Sequence, residues 1–332
     1  AMQSFKALLI DEVDGKVSSA FATLDGTRLD PGTVTIRVAY SSVNYKDALA
    51  ATGAGKIIRR FPCIGGIDLS GTVIESADPR FAPGDPVIAT SFDIGVSHHG
   101  GYSEIARVPG DWVVPLPAGL SLFDAMALGT AGFTAALAVV RMEENRLAPG
   151  NGPVIVTGAT GGVGSLAVDI LAERGYHVVA LTGKESEADY LRGLGAAEVM
   201  LRGSLDLAKI RPLDKARWAG AVDNLGGDVL AWIASTMAQG GTIASIGLAA
   251  SMNLNTTVAP FILRGVSLLG IDSGYIREPY RSGVWQRLAS DLRPPHLSGM
   301  ARRIGFADLP ATFNEYIAGR AKGRVVVEIG GE

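Results

Sequence analysis

The sequence predicts an α/β fold, in which a β-rich, barrel-like first part is followed by a doubly wound parallel sheet of six strands. Three observations predict it. Up to about residue 125, short apolar stretches with period-2 alternation are separated by turn residues. From residue 153 onward, apolar strand-like runs alternate with helical stretches, which calls for parallel strands with helices on both faces. A glycine-rich turn sits at the first strand-to-helix junction of that second part. The length, 332 residues, suits about two domains.

In the first part, residues 5–10, 34–40 and 69–74 read as strands, Ala82-Pro83-Gly84-Asp85 as a turn, and residues 87–89, 104–108 and 113–116 as further strands. At Ser121, a candidate N-cap, the period changes. Residues 121–145, rich in Ala, Leu, Met and Val, predict one long helix with a break near Gly129 and Gly132. Pro149-Gly150 ends that connection. Strands follow at 154–156, 177–181, 199–201, 219–223, 242–246 and 266–271, with helices at 162–174, 185–194 and 229–237. The last ~60 residues hold one helix, 280–292, and one strand, 325–329. No internal repeat or low-complexity tract occurs.

Composition narrows the function. Thirty Lys and Arg against 33 Asp and Glu, a net charge of −3, give no basic stripe, so no nucleic-acid partner is expected. With 47% hydrophobic and 19% charged residues the chain is not a disordered one. Apolar runs fall short of the ~18 residues a membrane span needs, so no membrane partner is expected. The start carries no basic stretch leading into an apolar one, and Ala1 ahead of Met2 reads as an expression remnant. A single cysteine, Cys63, allows neither an internal disulfide nor a Cys-rich zinc site. A cytoplasmic location follows as the expectation. His98, His99, His177 and His296 form no helical metal motif, and His98-His99 reads as a polar surface loop.

The sharpest signal is Val154-Ile155-Val156-Thr157-Gly158-Ala159-Thr160-Gly161-Gly162-Val163-Gly164. Gly158, Gly161 and Gly164 follow the G-x-x-G-x-x-G variant of the dinucleotide fingerprint: a tight turn off the strand, close backbone approach to a pyrophosphate, and close helix–sheet packing. The helix start at Gly162-Val163-Gly164, with Thr160 in the turn, offers free N–H groups and a partial positive charge to phosphates. The second strand ends Leu181-Thr182-Gly183-Lys184 without a carboxylate at its tip. Thr182, Gly183 and Lys184 therefore suit the 2′-phosphate of NADPH better than the free ribose of NADH. Glu185, the nearest carboxylate, reads as the first turn of the next helix, where the helix dipole favours it. Tyr190 either reaches the adenosine end or packs on its own helix.

Further stretches carry a resemblance: Ser42-Val43-Asn44-Tyr45-Lys46-Asp47, Gly55-Lys56-Ile57-Ile58-Arg59, Gly66-Ile67-Asp68, Asp78-Pro79-Arg80-Phe81, Gly129-Thr130-Ala131-Gly132-Phe133-Thr134-Ala135, Trp218-Ala219-Gly220-Ala221, Pro260-Phe261-Ile262-Leu263-Arg264 and Gly270-Ile271-Asp272-Ser273. With these the chain resembles the medium-chain dehydrogenase/reductase superfamily, in its zinc-free, quinone-oxidoreductase-like branch, and is most similar to NADPH-dependent acrylyl-CoA reductases. The likeness covers essentially the whole chain. Two departures are Gly65, where relatives often have Pro, and Lys184, where they often have Arg; Lys keeps the charge but not the planar fork.

The resemblance implies a GroES-like barrel built from residues 1–128 with 273–332, and a Rossmann domain over 129–272. The active site would lie in the cleft between them. It implies a homodimer paired through the strand at 266–271 and an acyl-CoA substrate. Reducing an acrylyl thioester places a hydride on the β-carbon and a proton on the α-carbon, with charge developing on the thioester oxygen. Asn44, Tyr45 and Asp47 stand where the superfamily's catalytic residues sit. Asn44 would bind the nicotinamide ribose or the substrate carbonyl, or else cap the helix that follows. Tyr45 is the candidate proton donor, a phenol that stays protonated at neutral pH. Asp47 reads as a partner of the loop, and Asp68 is open between structure and function. Thr130 resembles the nicotinamide-side contact and Arg324 the basic position near the cofactor, or an exposed charge at a strand start. Leu248, Ile262 and Ser273, just beyond the fifth and sixth strands, are the expected nicotinamide neighbours. Lys56, Arg59 and Arg60 in one loop, and Arg277 and Arg281 in another, are candidate contacts for the phosphates of coenzyme A. The rivals are a quinone or enone reductase of the same fold and a non-catalytic NADPH-binding protein.

Overall fold

The structure is a computed structural model describing residues 3–332; Ala1 and Met2 lie outside the described residues. The chain forms two compact units. The first runs to Thr130 and takes Ser273–Ser290 and Leu297–Glu332; the second holds Ala131–Asp272 and Asp291–His296.

The first unit opens with β1 (Phe5–Val13) and β2 (Lys16–Leu24), an antiparallel hairpin in which Val13 faces Lys16. Asp14 (φ 53°) and Gly15 (φ 75°) form its two-residue turn, both in the left-handed region such hairpins require. β2 was not expected, because its outward face of small and polar residues gives little apolar alternation. Next come β3 (Val34–Val43), α1 (Tyr45–Thr52), β4 (Cys63–Ile64), β5 (Asp68–Ser76), β6 (Pro86–Thr90), β7 (Ile105–Val108) and β8 (Val113–Pro115). The helix α2 (Leu122–Glu144) then leads out of the unit. Ser121 caps it, accepting the Asp124 N–H at 3.0 Å. The expected break falls at Gly129 (φ 55°, ψ −156°). By length and composition α2 could cross a membrane, but 83% of its most apolar window is buried in the protein.

The second unit is a single parallel sheet. Its strands are β9 (Val154–Val156), β10 (Val178–Thr182), β11 (Glu198–Leu201), β12 (Trp218–Asp223), β13 (Met237–Ser245) and β14 (Ser267–Gly270). Its helices are α3 (Gly162–Glu173), α4 (Ala188–Gly193), α5 (Gly227–Thr236) and α6 (Ala259–Arg264). The strand order β11-β10-β9-β12-β13-β14 is the doubly wound order, with the chain reversing direction across the sheet at β9. Ile155, Val179, Leu181, Ala221, Ile233 and Ile243 form its core.

The end of the chain is richer than expected. It contains α7 (Tyr280–Leu288), α8 (Leu297–Met300), β15 (Ala301–Gly305), α9 (Leu309–Ile317) and β16 (Arg324–Glu328). α7 ends at Leu288, short of the predicted 292, with Ala289 as its last helical-region residue. β15 and β16 extend the large sheet, whose order is β15-β16-β3-β5-β6-β8 with β7 also on β3. β3 is thus flanked by β16 and β5 (Val325 opposite Val43, Leu69 opposite Ser41), so the end of β3 meets the beginnings of both neighbours.

Residues 291–296 form a strap that packs with the second unit although both flanks belong to the first. Two polar ties hold it to α3. Asp169, fully buried, accepts the His296 N–H at 2.9 Å and pairs with His296 Nδ1 at 2.7 Å; Arg174 reaches Asp291 at 3.3 Å. Because removing the imidazole leaves a buried carboxylate short of a partner, His296→Ala is expected to lower stability by about 1–3 kcal/mol in urea unfolding, whereas Asp291→Ala, whose ion pair is half exposed, should change it by less than about 1 kcal/mol.

Candidate active site

In the first unit, the strand ends described above bring together Ser42, Asn44, Asp47, Asp68, Thr130 and Arg324 around one buried carboxylate. Asp68, fully buried, accepts from four donors. Ser42 Oγ (2.8 Å), Asn44 Nδ2 (2.9 Å) and the Thr130 N–H (3.1 Å) bond to Oδ2, and Thr130 Oγ1 (2.5 Å) bonds to Oδ1. Thr130 reaches it because α2 breaks one residue earlier. A Cβ at Gly129 would lie 2.8 Å from Asp68 Oδ2 and 2.9 Å from Arg324 Nη2, besides facing a positive φ. The break frees carbonyls of the first helical segment, and Arg324 takes one of them: its Nε donates to the Ala127 carbonyl at 2.7 Å.

Asn44 is the hub. Its Nδ2 donates to Asp68 (2.9 Å) and Asp47 (3.0 Å), and its Oδ1 accepts from Arg324 Nη1 (3.2 Å). Asp47, 2% exposed, also accepts the backbone N–H groups of Asn44 and Ile67, both at 3.0 Å. Burial, and then the neighbouring Asp68, push its carboxyl up to about 7. Asn44 therefore has no amide hydrogen left for a ribose or a carbonyl, and Asp47 has no face open to a ligand. Both hold Asp68 and the turn before it in place.

Thr130 extends the cluster outward. Its only hydroxyl proton goes to Asp68, so in its 2.9 Å contact with Ser91 Oγ the serine donates. Two hydroxyls in series thus point their protons toward the carboxylate and leave lone pairs facing away from it, a surface that accepts hydrogen bonds.

The second unit carries the glycine turn. Gly158 has φ 55°, which starts the reversal off β9. The Gly161 N–H closes the turn on the Gly158 carbonyl at 3.1 Å. A Cβ at Gly164 would sit 2.1 Å from that carbonyl oxygen, so only glycine lets α3 start this close to the strand. Thr160 and Gly161–Gly164 line the start of α3, an arrangement that fits a pyrophosphate. At the same sheet edge β10 ends at Thr182, with Gly183 and Lys184 exposed beyond it. Leu201 pairs with Thr182, so Arg202, which sequence reasoning missed, comes directly after the strand end next to that of β10. A cavity of about 290 Å³ is lined by Arg202, Gly227, Asp228 and Ser251. Asp223 and Asn224 also escaped notice: Thr157 donates to Asp223 at 2.8 Å and Asn224 Nδ2 to the Thr157 carbonyl at 2.8 Å, tying β12 to the root of the turn. Arg202 was legible only through strand register, Asp223 only as a polar end to an apolar strand.

The remaining expectations divide. Tyr45 begins α1 with a side chain 56% exposed and no hydrogen bond to the cluster. Leu248 and Ile262 are exposed in the second unit, and Ser273 is half-buried in the first. Tyr190 is half-buried with Ser165 of α3 beside its phenol, whose proton burial holds more firmly. Arg324 is no exposed strand-start charge, being 2% exposed within the cluster. His99 is not a surface residue: it is 8% exposed, its Nδ1 accepting the Ile64 N–H and its own N–H going to Asp30. Arg60 pairs with Asp30, and Arg281 is 1% exposed, which removes it from the surface candidates for coenzyme A. Among the described residues no group of His, Cys, Asp and Glu is arranged to hold a metal.

Known proteins are similar to this chain along its length. Residues 30–118 match the alcohol dehydrogenase GroES-like domain and residues 162–290 the zinc-binding dehydrogenase family. The chain is 50% identical to the Bacillus subtilis protein YhfP, named as a candidate quinone oxidoreductase, over 98% of this chain and 99% of that one. It is 47% identical to the acrylyl-CoA reductase AcuI of Ruegeria pomeroyi over the same shares. Among solved structures, Escherichia coli YhdH with bound NADPH superposes with a TM-score of 0.94 at 47% identity, covering 98% of this chain and 100% of that one. B. subtilis YhfP with NAD bound superposes at 0.96 and 49% identity, with the same coverage.

Asp47 ties the pH dependence of stability to this cluster. Its carboxyl titrates higher in the folded chain than in the unfolded one, so the native state holds the extra proton and stability falls as pH rises from about 4 to about 7. Comparing urea midpoints at the two ends of that range, the wild type should lose more stability than Asp47→Asn, which has no carboxyl to ionise. An equal loss in both would mean that Asp47 ionises normally.

Proposed function

Since the chain belongs to the zinc-free, quinone-oxidoreductase-like branch of the medium-chain dehydrogenase/reductase superfamily, we propose that it uses NADPH to reduce the carbon–carbon double bond of acrylyl-CoA, or of a close short-chain enoyl-CoA. The observation that carries the substrate is the 47% identity, along essentially the whole chain, to acrylyl-CoA reductases. The cofactor reading rests on the glycine cradle, the carboxylate-free tip of β10 and the NADP(H)-bound relatives.

NADPH, when bound, supplies the hydride that the β-carbon receives. The turn at Gly158–Gly164 and the start of α3 hold its phosphates, while Thr182, Lys184 and Arg202 favour the 2′-phosphate. Thr130 and Ser91, their protons directed toward Asp68, accept hydrogen bonds from hydroxyl or amide groups brought to the site. Asn44, Asp47 and Arg324 keep that acceptor pair in place. Tyr45, with its exposed phenol, delivers the proton to the α-carbon and recovers it from solvent. Lys56, Arg59 and Arg277 remain exposed for the phosphates of coenzyme A. Leu248, Ile262 and Ser273 stay assigned to the nicotinamide side. We further assign a homodimer built by pairing of the edge strand β14, and a cytoplasmic location.

Turnover should be measured as NADPH oxidation with acrylyl-CoA, crotonyl-CoA and a simple quinone in parallel. Fast reduction of acrylyl-CoA is expected. Turnover of the quinone alone would replace the substrate and leave fold and cofactor standing; NADPH binding without any turnover would favour a non-catalytic role. Tyr45→Phe should lower kcat about 100-fold or more with KM little changed, and wild-type rates in that variant would pass the proton to water. Arg202→Ala and Lys184→Ala should each raise KM for NADPH about tenfold and leave KM for NADH unchanged.

A further inference from the structure

Ser91 and Phe92 are consecutive non-glycine residues in the left-handed region, at φ 63° and 50°. Asp14 and Arg146 are the other such residues among those described, and neither has a non-glycine neighbour in that region. A Cβ makes this conformation unfavourable, so a pair of them persists only where the surroundings impose it. Here they do. The Ser91 N–H bonds the Ile67 carbonyl at 2.8 Å and the Phe92 N–H bonds the Gly274 carbonyl at 2.9 Å. The Phe92 ring stacks on Trp112, with centroids 5.4 Å apart and planes 5° apart, and meets the edge of Tyr275 at 6.2 Å.

One side chain joins these restraints. Arg281 projects from α7 and is 1% exposed. Its guanidinium lies 4.4 Å from the centroid of Phe92. Its Nε donates to the Ile276 carbonyl at 2.7 Å, Nη2 to the Ser273 carbonyl at 2.8 Å and Nη1 to Thr90 Oγ1 at 3.2 Å. A single planar cation thus fixes the loop whose Gly274 carbonyl receives Phe92, the residue before Ser91 and the ring of the residue after it. No lysine could fill this place, because its ammonium lacks the fork that reaches three segments at once.

We infer that Arg281 is a positioning residue for the proposed reduction: by locking Ser91-Phe92 in the left-handed conformation it aims the Ser91 hydroxyl at Thr130, and so sets the direction in which the Thr130–Asp68 unit offers its lone pairs. This rests on the reading that the Thr130–Asp68 unit serves the reaction. Without the lock, the backbone relaxes toward ordinary φ values and the Ser91 side chain swings off Thr130.

The test combines Arg281→Lys, Ser91→Gly and the double variant, with kcat, KM, NADPH affinity by nicotinamide fluorescence, and Tm. Arg281→Lys should lose roughly 10- to 100-fold in kcat, with NADPH affinity within about threefold of wild type. Ser91→Gly removes the hydroxyl but supplies a residue that adopts a positive φ without strain, so it should be equally slow and melt no lower than wild type. The double variant should be no slower than Ser91→Gly alone, within about twofold, because both changes act through one hydroxyl. Losses that multiply in the double variant, or full kcat in Ser91→Gly, would overturn the inference. Where Arg281→Lys fails to fold, Phe92→Leu tests the same lock from the ring side and should again be slow only while Ser91 is present. Thr130→Val separates the two levels. Full activity in that variant sinks the reading of the cluster itself, whereas a slow Thr130→Val beside a fast Ser91→Gly sinks only the role of Arg281.

Discussion

The first unit is organised around a carboxylate that water cannot reach. Burying a carboxyl is costly unless its lone pairs are met by donors. Asp68 meets that condition with donors drawn from the end of β3, the residue after it and the broken helix α2. Each requirement propagates. Ser42 and Asn44 must leave β3 next to the start of β5, which the β3–β5 register provides. Thr130 must present both its N–H and its hydroxyl, which an unbroken helix could not do. Arg324 must arrive from the far end of the chain, which explains why β16 inserts beside β3 rather than ending the sheet elsewhere.

The same arithmetic limits what the cluster does chemically. Asn44 has both amide hydrogens and its carbonyl oxygen occupied, and Asp47 is ringed by three N–H groups. Bonds made in this way orient the neighbours of both residues. What reaches outward is the Thr130–Ser91 hydroxyl pair, whose protons are directed toward the carboxyl behind it. Strain at Ser91-Phe92 is the counterpart of that direction. The backbone is held where the hydroxyl is needed, and the holding is done by a buried cation that looked from the sequence like one more surface arginine.

The second unit follows a different logic, in which the backbone rather than side chains makes the site. The approach of α3 to the Gly158 carbonyl leaves no room for a Cβ at Gly164. The parallel sheet then collects the ends of β9, β10 and β11 on one edge, so that residues some twenty apart in sequence, such as Thr182 and Leu201, pair directly.

By itself the sequence determined the class of both units, the six parallel strands, the break at Gly129 and the phosphate turn, because each is written in local periodicity or in glycines whose spacing has a backbone cause. It also carried Asn44, Asp47, Thr130 and Arg324 as residues of interest, through short stretches resembling a known family. Only the tertiary structure decided what those residues touch. Whether Asn44 has a hydrogen to offer, whether Arg281 lies on the surface or inside, and which strand end Arg202 follows depend on partners contributed by distant segments. β2, β15, α9 and the strap at 291–296 escaped for the same reason. Their apolar patterns are weak, and contacts with distant segments hold them in place. Periodicity reports how a segment buries itself, while hydrogen-bond saturation is a property of the assembled neighbourhood, and that difference separates what was legible from what was not.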